Sequence, residues 1–139
     1  MKIYLKHNLG WDLYDIERDS EELKKRNISI GDGASISDGA FIGDWASIGE
    51  GAIIGEDTYI GDRASIGDRA EFTSNPLYII GTRHLFQQCD ADKIKIGCLI
   101  KTVNEWLERY KEIGEIEGYT KKEIQEYKLY LDLAKKLMK

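Results

Sequence analysis

The chain has 139 residues, a formal net charge of −5 and a pI of about 5.1. This length suits one domain, and the acidic balance argues against a long basic face that would track a nucleic-acid backbone. Cys89 and Cys98 are too few and too far apart for a disulfide framework or a CxxC site, and the first residues lack the apolar run of a signal peptide or membrane span. A reduced, cytoplasmic setting is expected.

Residues 1–27 read as an N-terminal cap. Ile3 and Leu5 alternate with Lys2, Tyr4 and Lys6, the pattern of a short strand. Asn8-Leu9-Gly10 reads as a turn, and Trp11, Leu13 and Ile16 make a second apolar segment. Ser20 is placed to cap a single helical turn. His7 reads as a surface histidine. Such a section would cover strand edges that otherwise recruit another chain.

From Ile30 to Phe72 the chain repeats every six residues. Ile30, Ile36, Ile42, Ile48, Ile54, Ile60 and Ile66 recur in one frame, and Phe72 takes the next place. Two places before each, from Ile36 on, sits a small residue, Ala34, Ala40, Ala46, Ala52, Ala64 and Ala70, with Thr58 the variant. Gly follows each Ile except at Ser37, and an acid follows that. A period of six cannot hold one helical face, but it fits short strands joined by corners. Ile and the small residue point inward, Gly is read as the bend, and the acid and its neighbour complete the corner. The acid recurs in every unit, so it reads as corner chemistry rather than a metal array; no metal is expected. The residue after the acid breaks the symmetry: Gly or Asp57 at most corners, but Trp45, Arg63 and Arg69 at the others.

This pattern resembles the hexapeptide-repeat family, whose members form a left-handed parallel β-helix of triangular section. The resemblance implies a mainly β fold in a single domain, 1–139: cap 1–27, left-handed β-helix 28–100, and C-terminal α-helical hairpin 101–139. Three six-residue units per coil would stack residues eighteen apart at about 4.8 Å. The family also implies a homotrimer packed side by side. On that spacing Phe41 and Tyr59 share one outward column, Ser35, Ile53 and Glu71 another, and Ser29, Ser47 and Ser65 a third. Exposed Phe, Tyr and Ile would be buried against another subunit or a ligand. Trp45 and Arg63 would share a corner. After the bend Thr73-Ser74-Asn75-Pro76, a two-residue insertion would put Arg83 above Arg63, with His84 beside it. An indole under a guanidinium is a cation–π pair, and stacked arginines call for an anion, or for Asp44 and Asp62 to neutralise them.

Lys93-Ile94-Lys95-Ile96-Gly97-Cys98 alternates and reads as a last strand closing the stack. Thr102 with Glu105, and Thr120 with Glu123, are capping boxes that open two amphipathic helices, with Gly118 breaking the first. Val103, Trp106, Tyr110 and Ile113 mark one face; Ile124, Tyr127, Leu131, Ala134 and Met138 mark the other. The runs IIGTRHLF, KIKIGC and EWLERYKEIGEIEGYTKKEIQEY resemble hexapeptide-repeat proteins of phage and prophage origin. That resemblance implies a role in phage–host dealings, such as anti-defence, in the cytoplasm of a bacterial host.

Two functions compete. The family resemblance implies acyl transfer from an acyl-CoA, with His84 as general base. Against it, the six-residue units run unbroken without an extruded loop, and the stack is short for a pantetheine arm. The alternative is binding without chemistry and without a cofactor. Trp45, Phe41 and Tyr59 can stack a base, while Arg63, Arg69, Arg83 and His84 can hold phosphates. The expected function is therefore binding of a small anionic, nucleotide-like ligand in inter-subunit clefts of a trimer, which could sequester a signalling nucleotide. The C-terminal helices are available to pair trimers. A plain assembly module is a third reading.

Overall fold

The six-residue period of the sequence becomes a six-residue period of backbone conformation. In this computed structural model φ is positive at Asn27, Gly33, Gly39, Trp45, Gly51, Asp57, Arg63 and Arg69, one residue in every six. The residue after the acid is thus the corner itself. The structure describes residues 1–7 and 10–138. Asn8 and Leu9 of the expected turn, and the side chain of His7, lie outside what is described. The chain parts into two compact units, residues 1–76 and 77–139.

The first unit opens with β1 (Lys2–His7) and β2 (Gly10–Asp15), an antiparallel pair, and α1 (Ser20–Lys25). Asp19, not Ser20, is the N-cap of α1, and its side chain makes no capping bond. Then come β3 (Ser29–Ile30), β4 (Ser35–Ile36), β5 (Ala40–Ile42), β6 (Ser47–Ile48), β7 (Ile53–Ile54), β8 (Tyr59–Ile60), β9 (Ser65–Ile66) and β10 (Glu71–Phe72). Partners lie eighteen residues apart and run parallel: Ile30 beside Ile48 beside Ile66, Ile36 beside Ile54 beside Phe72, and Ile42 beside Ile60. β1 pairs parallel with β5, so the hairpin covers an edge that would otherwise be open.

The second unit holds β11 (Tyr78–Ile80), β12 (Leu85–Gln88), β13 (Lys93–Ile96), β14 (Leu99–Thr102), α2 (Val103–Ile116) and α3 (Lys121–Leu137). Its sheet is antiparallel throughout. Both capping boxes form as the sequence predicts, and Gly118, with φ of 77°, follows the end of α2. Phe86, Ile94, Trp106, Ile113, Tyr127, Leu131 and Ala134 form the core of this unit.

The expected fold class needs correction. Among the described residues the chain is mixed α/β, with four separate small sheets and three helices, and no single left-handed parallel β-helix winds through residues 28–100. Most first-unit strands after the hairpin are two residues long and end at a corner, so each ladder stays local. Beyond Pro76 the chain reverses at each turn. Ile80, which precedes a glycine as the inward isoleucines of the repeat do, is 80% exposed, and Lys93–Ile96 pairs antiparallel on both sides instead of closing a parallel stack.

At Gly31, Gly43 and Gly49 the glycine after Ile is needed for a reason other than bending. A Cβ on Gly31, Gly43 or Gly49 would lie 2.4–2.5 Å from the backbone nitrogen of Glu50, Asp62 or Asp68. These glycines permit close approach of successive strands. Inward, Ile36, Ile42, Ile48, Ile54 and Ile60 are buried with Ala40, Ala46 and Ala52. Thr58 replaces an alanine there, is 1% exposed, and its hydroxyl has no partner among the described residues. Thr58→Val keeps the shape and removes the stranded hydroxyl, so it should raise stability by about 1–2 kcal/mol. Urea denaturation checks this; an unchanged midpoint would mean that the hydroxyl is satisfied.

Candidate ligand-binding sites

At one corner of the first unit Trp45 and Arg63 come together. Both have left-handed backbones, with φ of 65° and 62°, a conformation that costs an ordinary residue about 1–2 kcal/mol. Their N–H groups donate to Arg26 O and Asp44 O, each at 2.9 Å. The Arg63 guanidinium carbon lies 5.7 Å from the centroid of the Trp45 ring, and Trp45 is 55% exposed. The acids that could neutralise Arg63 are engaged elsewhere. The Asp62 carboxylate accepts from the Asp44 N–H at 3.0 Å and from Lys6 Nζ at 2.5 Å, and Asp44 accepts from Arg26. Asp68 likewise accepts from the Glu50 N–H, so these acids do act as corner chemistry.

Among the described residues Arg63 and Arg69 have no ion pair, whereas Arg18, Arg26, Arg83 and Arg109 each contact a carboxylate. Arg69 is also left-handed, with φ of 58°, but it belongs to a different corner, beside Gly51. The two unpaired arginines therefore sit on strained backbone where other corners carry glycine.

Phe41 and Tyr59 lie elsewhere, on the sheet that β1 and β2 extend. Tyr4 stacks on Phe41 at 4.6 Å and Phe41 on Tyr59 at 5.3 Å, with Trp11 edge-on to both. Phe41 is sandwiched and offers no ring face to a base. Tyr4 and Trp11 were not singled out as partners; the outward alternation around Ile3 and Leu5 was the signal that could have found them.

Arg83 and His84 belong to the second unit. Arg83 donates to the carbonyls of Glu117 and Gly118, at 3.2 and 3.0 Å, pairs with Glu123 and lies 4.9 Å over the Tyr119 ring. It fastens the carbonyl end of α2, which favours a cation. His84 Nδ1 is 2.5 Å from the Tyr119 hydroxyl. Burial pushes the Tyr119 pKa well above the ordinary tyrosine range, reinforced by neighbouring Tyr127, so this hydroxyl keeps its proton. With Tyr119 as donor, Nδ1 accepts and Nε2 carries the ring proton; with Nδ1–H as donor, the Tyr119 oxygen accepts and Nε2 is an acceptor. The Tyr127 hydroxyl fixes the backbone here, donating to His84 O and accepting from the N–H groups of His84 and Arg83.

Beside His84 a cavity of about 80 Å³ opens into the core of the second unit. Trp106, Ile113, Tyr127 and Leu131 line its buried part, while His84, Cys98 and Glu117 are exposed lining residues. Sequence reasoning reached His84 but assigned it to another setting, and it missed the cavity altogether.

Among the described residues no group of three or more His, Cys, Asp or Glu side chains is arranged to hold a metal ion, and no helix is long and apolar enough to cross a membrane. No family model matches the chain, and no curated protein or solved structure does. The resemblances to the hexapeptide-repeat family and to its phage members are therefore not upheld, and the family's left-handed β-helix does not carry over.

Proposed function

We propose that the protein binds a small anionic ligand bearing an aromatic ring, such as a nucleotide, and leaves it chemically unchanged. The observation that carries this reading is the Trp45–Arg63 corner: an unpaired guanidinium over an exposed indole, both on strained backbone. Strain retained without an ion pair in return points to a role outside folding. A ligand ring stacks on the indole, and its anionic group takes charge-assisted hydrogen bonds from Arg63.

The two demands on Arg63 can be separated by glycine. Arg63→Gly relieves the left-handed strain and loses an exposed cation–π contact, so stability should hold or rise by about 1 kcal/mol. Binding should fall at least about tenfold, as a charged hydrogen bond is lost. Calorimetric titration with a panel of nucleotides, thermal melting of both proteins, and mass spectrometry of the recovered ligand test this. Unchanged affinity in Arg63→Gly, or a ligand recovered as product, would remove the proposal.

A further inference from the structure

We infer that the cavity of the second unit is a site for a free branched-chain α-amino acid. The inference stands on residues 77–139 alone and is independent of the Trp45–Arg63 corner.

The size of the cavity sets the buried part of the ligand. A dry apolar cavity of about 150 Å³ takes benzene. The one here is about 80 Å³. It has room for a branched alkyl group of roughly four carbons, but not for an aromatic ring. Its deep lining by Trp106, Ile113 and Leu131 is apolar, and the Trp106 indole N–H already donates to Ile94 O at 2.8 Å. The inserted group therefore needs no polar atom.

The exposed lining sets the head group. Glu117 forms no ion pair among the described residues. The nearby Arg83 is balanced by Glu123, and Lys128 by Asp132. The uncompensated charge is thus a carboxylate, which suits an ammonium. His84 has Nδ1 held by Tyr119, and its Nε2 has no partner among the described residues. In the tautomer whose Nδ1 accepts from Tyr119, Nε2 carries the proton and donates to a carboxylate. One acceptor and one donor beside an alkyl-sized cavity match the ammonium, carboxylate and side chain of valine, leucine or isoleucine.

The full chain would be titrated with L-leucine, leucinamide and 4-methylpentanoate, following the Trp106 indole N–H resonance. Leucinamide lacks the carboxylate, and 4-methylpentanoate lacks the ammonium. Leucine should give a saturable shift, with each analogue at least about fivefold weaker. Glu117→Gln should abolish the preference for leucine over 4-methylpentanoate, and His84→Ala the preference for leucine over leucinamide. Glu117 is exposed, so its substitution leaves the fold intact and keeps the test readable if His84→Ala perturbs it. Leucinamide binding as well as leucine would shift the site toward a peptide N-terminus and overturn the free amino acid. No shift up to the solubility of leucine, or preferences unchanged in Glu117→Gln, would overturn it too.

Discussion

Gly43→Ala is expected to cost about 3 kcal/mol or more and to disrupt the parallel sheets of the first unit. An added Cβ would sit 2.5 Å from the backbone nitrogen of Asp62 and 2.6 Å from the carbonyl carbon of Gly61. Backbone atoms cannot rotate away as a side chain can, so the strand pairing itself must open. Gly33→Ala is the control. Gly33 has φ of 72°, yet an added Cβ would meet nothing within 4 Å. Its cost is only that of the left-handed conformation, about 1–2 kcal/mol. If glycine served this repeat mainly by bending the chain, the order would reverse. Urea denaturation of both variants decides it, and a Gly43→Ala cost no larger than that of Gly33→Ala would sink the close-approach account.

That contrast shows what the sequence could and could not convey. The period of six, the inward Ile and Ala, and the eighteen-residue register were legible because side-chain identity tracks burial. The corner at the acid and its neighbour was legible, but the role of the glycine after Ile was misread, since glycine serves two needs and a periodic string does not say which applies. Positive φ falls on Trp45 and Arg63 as well as on Gly33 and Gly51, so the corner was marked by position rather than residue type. Pairing beyond Pro76 was misread because IIG looks the same in a short parallel strand and at the end of an antiparallel one. Gly97-Cys98 between two alternating runs was the neglected hairpin signal. Helix starts were legible where a capping box declared them, at Thr102 and Thr120, and missed by one residue at Asp19, which makes no side-chain cap. Of the candidate site, the Trp45–Arg63 pair followed from spacing. Arg83 was misjudged because its partners, the carbonyls of Glu117 and Gly118 just past α2 and the Glu123 carboxylate, come from segments more than thirty residues away.

Tyr127→Phe should destabilise the second unit by about 2–4 kcal/mol, well beyond what the loss of one hydrogen bond explains. Tyr127 is 4% exposed, and its hydroxyl serves three backbone groups: the His84 carbonyl, the His84 N–H and the Arg83 N–H. Phenylalanine fills the same space but leaves all three without that partner at a partly buried site. Tyr130→Phe is the matched control. It loses one bond, to the Glu126 carboxylate at 2.6 Å, and a carboxylate that also accepts from Thr82 can recruit water in its place. Its cost should stay near 1 kcal/mol. Hydrogen exchange supplies the local readout: the Arg83 and His84 amides should lose protection in Tyr127→Phe and keep it in Tyr130→Phe. Equal costs for the two variants, or unchanged exchange at those amides, would mean that the Gly81–His84 turn is held by its own backbone. The Tyr127 hydroxyl would then be a bystander, and the placement of His84 at the cavity would need another cause.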